Sequence, residues 1–283
     1  MSLGFPPFYG AVKFLVIANT VVYLAMLLIG GLAPMLARWI QAVCALTPVM
    51  VTHGFVWQVV SYSFFHAGLF HILFNMITLW MFGAGLEQGG WDSRHFYEFY
   101  FFCVIGAALT TVAVSYAGLI PALSFLGVSP LIPTVGASGG IFGVMVAFAM
   151  LYGNQEFMMF PLPIMIKAKY LVAIFILIAL AQALQGGRGE SVAYFAHLGG
   201  ALFGWFYIRF LPRKGLAFAS SEQYFGFRNS YYRWKRRRAA RKFEVYMRKH
   251  DRSEFFDEYG NYRPKSGEQD KDDGKGDGPR WVN

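Results

Sequence analysis

The strongest constraint on this chain is a series of six apolar runs, at about 12–33, 69–86, 96–119, 138–152, 170–185 and 192–211, each able to cross a bilayer or most of it. Inside hydrocarbon every backbone N–H and C=O must find its partner within the chain, so runs of this length fold as helices. The expected class is therefore an all-α membrane protein, a bundle of six transmembrane helices. Composition agrees: 14% of the residues are charged and 56% are apolar, against about a quarter charged in soluble domains. The 29 Phe and 16 Tyr suit lipid-facing surfaces and interfacial belts, whereas a soluble chain this aromatic would expose large apolar patches. A soluble globular fold is excluded on these grounds. Cys44 and Cys103 lie far apart without metal-ligand or CxxC spacing, which supports neither a disulfide framework nor a zinc site.

An even number of spans puts both termini on one side, and basic residues choose the side. With the termini in the cytoplasm, only Arg38 and Arg188 of the 25 Lys and Arg fall outside. The opening MSLGFPPFYGAVK lacks a charged region followed by a small-residue cleavage site, so the first apolar run is expected to be retained as a span. Three regions follow: a membrane domain at 1–212, a basic and in part helical cytoplasmic tail at 213–263, and a disordered end at 264–283.

Two stretches depart from simple spans. The fourth run has 15 residues, which at ~1.5 Å per residue reach about 22 Å, short of a ~30 Å hydrocarbon core. Its outer end is expected below the membrane surface. The Pro- and Gly-bearing stretch before it, from Ile120, is tolerable at that depth only when buried in protein or lining water, which implies a cavity open to the outside. Between the first two spans lie about 35 residues carrying Trp39, His53 and Trp57 in apolar sequence, read as helices lying in the interface.

Candidate chemistry gathers at three places. In Gly136-Ala137-Ser138-Gly139-Gly140 a serine opens the short fourth helix, where unpaired N–H groups and the positive dipole end suit a developing oxyanion. The same small residues equally serve close packing, since Gly139 and Gly143 form a small-xxx-small face. A matching face, Gly200 and Gly204, occurs in Ala196-His197-Leu198-Gly199-Gly200 on the sixth run. Packing of the two faces would bring His197 to the depth of Ser138. A histidine in a span is a functional candidate, because a polar ring in lipid is costly without a partner, although a backbone carbonyl could be that partner. Serine plus histidine suffices for nucleophile and general base, and no span carries an Asp to complete a triad, which argues for a dyad. His71 and Asn75, four apart on the second run, share one helical face and could donate to an oxyanion or bond between helices. His66, five residues before His71, is off that face and is expected at the interface.

Taken together, GASG, AHLGGALFG and the HxxxN of HILFNMITLWMFGAGLE, on three spans in this order, resemble the signature of the rhomboid family over about 12–211. The resemblance implies a rhomboid-like six-helix bundle and an intramembrane serine endopeptidase acting on single-span membrane proteins. It implies Ser138 as nucleophile and His197 as base, with His71, Asn75 and the Ser138 backbone N–H at the oxyanion. It places Phe142 against the base, where many rhomboids have Tyr, and gives Glu87 a structural role. Trp57-Gln58 stands where many members have Trp-Arg. No metal or cofactor is required. Substrate helices must unwind to be cut, so helix-destabilising residues are expected near the cut, and the glycine-rich 185–191 is expected to cap the site. A rhomboid-fold binding protein is the alternative from another class; a transporter would want polar residues along a through-path, which the spans lack. The basic run Arg233–Lys242 is expected to bind anionic lipid head groups rather than nucleic acid. The absence of a targeting segment points to a bacterial plasma membrane, and no feature specifies an oligomeric state.

Overall fold

A computed structural model describes residues 6–126, 128–159, 164–185 and 191–211, together with 234, 235 and 238. The chain divides into two compact units, Met1–Ala219 and Ser220–Asn283. The first opens with helix α1 (Gly10–Leu32), whose start is held from a distance. Glu87 accepts from the Ala11 N–H at 2.8 Å and the Val12 N–H at 3.3 Å, so a buried carboxylate caps the positive end of the helix. Gly10 has φ +63° and lies so close to that carboxylate that a Cβ would collide with it. Helix α1 ends at Ala33 and Pro34 begins α2 (Pro34–Cys44), because proline fits the first helical turn but breaks a helix already under way.

Two further short helices, α3 (Pro48–Thr52) and α4 (Gln58–Ser61), complete the segment before α5 (Leu69–Gln88). Gln58, fully buried, ties this segment together: it accepts from the Thr47 N–H at 3.0 Å and donates to the Ala42 and Val43 carbonyls. Trp57 donates to Val43 as well, at 3.0 Å. Helix α5 widens by one residue per turn over Leu79–Gly83, a distortion that recurs at functional sites. Asp92 then caps α6 (Ser93–Ala117) by accepting from the His95 N–H at 2.7 Å.

After α6 a tight turn at 121–126 leads to an extended stretch, where Leu46 and Thr134 exchange backbone hydrogen bonds of 3.0 and 2.9 Å. Helix α7 (Ser138–Tyr152) begins at the serine and has the expected 15 residues. It is the most enclosed element: Ile141, Val144, Met145 and Phe148 pack with Phe96, Phe99, Tyr100 and Val104 of α6 in the core. Helices α8 (Ala168–Leu184) and α9 (Ser191–Phe210) close the described part of this unit.

One element corrects the all-α expectation. Strands β1 (Glu156–Met159) and β2 (Ile164–Lys167) pair antiparallel between α7 and α8, with Glu156 opposite Lys167 and Phe157 opposite Ile166. The hairpin is anchored by Phe157, whose ring lies 4.9 Å from Phe82 and 5.5 Å from Phe148. The described residues are otherwise helical or irregular, and each of the six apolar runs lies in a helix to within two residues at its end. Three helices, Gly10–Leu32, Leu69–Gln88 and Ser93–Ala117, are long and apolar enough to cross a bilayer, while Ser138–Tyr152 and Ala168–Leu184 are shorter apolar helices. Residues 186–190, the greater part of the expected cap, lie outside the described residues, as do 213–233 and 264–283. Of the second unit only Trp234, Lys235 and Arg238 are described, with the Arg238 guanidinium 5.3 Å above the Trp234 ring.

Candidate active site

Helices α7 and α9 approach closely because neither carries side chains where they cross. A Cβ on Gly200 would collide with the Gly139 carbonyl, and one on Gly204 would lie 2.7 Å from the Gly143 Cα. Gly143 in turn has the Gly200 carbonyl 3.1 Å from its Cβ position, with Cys103 of α6 on the same side. The four glycines singled out in the sequence thus lie in one contact, where backbones approach to a distance that any side chain would prevent.

That approach sets Ser138 against His197. The serine Oγ and His197 Nε2 are 2.7 Å apart, the distance of a strong hydrogen bond. Phe142, one turn after the serine, stacks on the histidine with ring centres 4.5 Å apart and planes 5° from parallel, which fixes the imidazole in the plane that meets Oγ. Tyr194 meets the same ring edge-on at 5.8 Å. The histidine is therefore in contact with two aromatic rings.

The backbone leading into Ser138 has its own support. Gly136 has φ +131° and donates its N–H to the Tyr62 carbonyl at 3.0 Å. A Cβ there would lie 2.8 Å from His71 Nε2, so only glycine allows both the conformation and the approach of the ring. His71 Nδ1 accepts from the Ala67 N–H at 3.4 Å, which leaves the proton of a neutral ring on Nε2, the nitrogen facing Gly136. Asn75, one turn below, is buried with its Nδ2 unpaired. A cavity of about 210 Å³ joins these groups, lined among others by Tyr62, His71, Gly136, Ser138, Tyr194 and His197. Asn75 does not line it.

Two participants were not legible as such in the sequence. Tyr62 is fully buried, donates to the Val104 carbonyl at 2.9 Å and lines the cavity; a lone tyrosine in an apolar loop carries no signal of that placement. His66, expected at the interface, is half-buried, packs edge-on against His71 at 5.1 Å, and its Nε2 accepts from the Ala137 N–H at 3.5 Å. Burial and the neighbouring His71 ring lower its pKa to about 4, so it is neutral near pH 7 and able to accept. Among the described residues no group of three His, Cys, Asp or Glu is arranged to hold a metal ion.

Comparison with known proteins places the chain in a family. Residues 53–214, more than half of the chain, match the Rhomboid domain. The chain is similar to Rhomboid-like protein 19 of Arabidopsis thaliana, 27% identical over 171 residues, 58% of this chain and 51% of that one. It is also similar to Rhomboid protein 1, mitochondrial, of Saccharomyces cerevisiae, 29% identical over 153 residues that cover 53% of this chain and 41% of the relative. RHOMBOID-like protein 6, mitochondrial, of Arabidopsis thaliana is 30% identical over 173 residues, 59% of this chain and 49% of that protein. The chain spans about half the length of these relatives. Two of them are named for mitochondria, so the expected bacterial plasma membrane finds no support among them. With apolar helices able to cross a bilayer and a family match over more than half its length, this chain is an integral membrane protein that belongs to the rhomboid family.

Proposed function

We propose that the protein is an intramembrane serine endopeptidase that hydrolyses peptide bonds in or beside the transmembrane segments of single-span substrates. The observation that carries this reading is the 2.7 Å separation of Ser138 Oγ and His197 Nε2 at the edge of a cavity. In this mechanism the serine hydroxyl donates to Nε2. His197 takes the proton as Oγ attacks the scissile carbonyl, then returns it to the leaving amine, and a water activated by the same ring releases the acyl group. The developing oxyanion sits at the start of α7, where the Ser138 N–H and His71 Nε2–H donate to it. The unpaired Asn75 Nδ2 is a third donor one turn away. Every step is carried by side chains and backbone, and the reaction calls for no cofactor.

The same reading includes six crossings, with α7 as a short central helix entered from the outer side, both termini in the cytoplasm, and the basic run at 233–242 on anionic lipid. The strongly basic tail and the apolar runs support it. A fluorophosphonate probe tests the nucleophile directly, because it reacts with an activated serine and needs no substrate. Labelling of the wild type, lost in Ser138→Ala, is expected. A folded wild type that takes no label would favour the reading as a binding protein that holds membrane clients uncut.

A further inference from the structure

A second cavity, about 260 Å³, lies away from Ser138, between α1, α2 and the chain at Phe65–Ala67. Val22, Met26 and Gly30 line it from one face of α1, and Ala37 and Gln41 from α2. Leu27 also borders it and is 56% exposed, so the cavity opens on a surface that faces acyl chains once α1 is in a bilayer. Gly30 has nothing within 4 Å of its Cβ position, so the space beside it is not filled by the protein. Beside Phe65 and Ala67, the far wall carries two polar groups, Gln41 and His66, the latter the ring that accepts from the Ala137 N–H beside the candidate nucleophile.

We propose that this cavity is a binding site for one acyl chain of a membrane phospholipid, with the glycerol ester region placed toward Gln41 and His66. Size argues for a single chain: the volume is below the roughly 300–1,000 Å³ of sites for drug-sized molecules. The run from Val22 to Gly30 extends about 12 Å along the helix at ~1.5 Å per residue, the reach of part of a lipid tail. Val22, Met26, Leu27 and Gly30 make the α1 side mostly apolar, with Tyr23 its polar group, a lining that suits an acyl chain with an ester at one end. His66 lines this cavity and packs on His71, which lines the candidate active site, so a chain seated there restrains the ring that accepts from Ala137. Lipid tails of different shape are then expected to change turnover as well as binding. The site rests on the membrane placement proposed above.

The test reads binding without turnover, so its failure and that of the protease reading are separable. The full chain is reconstituted in vesicles containing a phosphatidylcholine with a diazirine at mid-chain, and adducts are mapped by peptide mass spectrometry. Adducts are expected to concentrate on 22–30 and 37–41, relative to the exposed α5 residues Leu69–Phe74, and to fall several-fold in Gly30→Leu, which fills the space. Adducts spread evenly over α1 and α5, or unchanged in a folded Gly30→Leu, would overturn the proposal. The wild-type distribution decides the question even if the variant does not fold.

Discussion

At the scale of single residues, the geometry around Ser138 depends on a few side chains that do not themselves react. His71 offers Nε2–H toward the start of α7, and loss of one oxyanion donor typically costs about 10²–10³ in kcat. His71→Ala is therefore expected to lower kcat by that order while KM moves little, measured with a reporter substrate. Gly136→Ala is expected to abolish cleavage, because a Cβ 2.8 Å from His71 Nε2 displaces the ring and φ +131° disfavours any L side chain. His66 gives a pH test. Its pKa falls from 6.5 to about 4 in the folded protein, so the unfolded state binds more protons between those values and stability rises with pH across that window. Replacement by Gln is expected to flatten the rise in Tm between about pH 4 and 6.5, with His71 the ionisable neighbour that faces it; an unchanged slope would contradict the assignment. His66 shows where sequence reading reaches its limit. Helical spacing groups His71 with Asn75, but His66 precedes the helix, and a chain turn that no periodicity reports brings it onto His71.

At the scale of elements, the crossing of α7 and α9 was legible because its cause is local: glycines four apart leave a groove on each helix. The start of α7 was legible for the same reason, since Gly136-Ala137-Ser138 breaks one conformation and begins another. The β1–β2 hairpin was not, because its register depends on Phe157 finding Phe82 and Phe148 from other helices. Nor was the wide turn at Leu79–Gly83, where apolar residues continue without a break. Two substitutions test the element contacts. Gly200→Leu is expected to lower stability by about 1–3 kcal/mol, the usual cost of overpacking, and to separate Ser138 from His197. Glu87→Ala leaves the Ala11 and Val12 N–H groups uncapped and is expected to cost about 1–3 kcal/mol, seen as a lower Tm, with activity per folded molecule largely kept.

At the scale of the whole molecule, the helical bundle followed from hydrophobicity alone, since chain buried in lipid has few ways to satisfy its backbone. The compartment did not follow, because the residues that fix fold and chemistry carry no address. Topology is open to a direct check: cysteines placed at each terminus are expected to react with an impermeant thiol reagent from the same side, and opposite sides would contradict six crossings. Truncation after Lys214 is expected to leave catalysis intact, because every group assigned a catalytic part lies before Leu211; a folded but inactive truncation would assign the tail a catalytic part. The proposed Ser138–His197 dyad is tested most directly by cleavage of a single-span reporter in liposomes by wild type, Ser138→Ala and His197→Ala. Cleavage by the wild type, lost in both variants with thermal stability retained, is the predicted result. Cleavage surviving in either folded variant would contradict it.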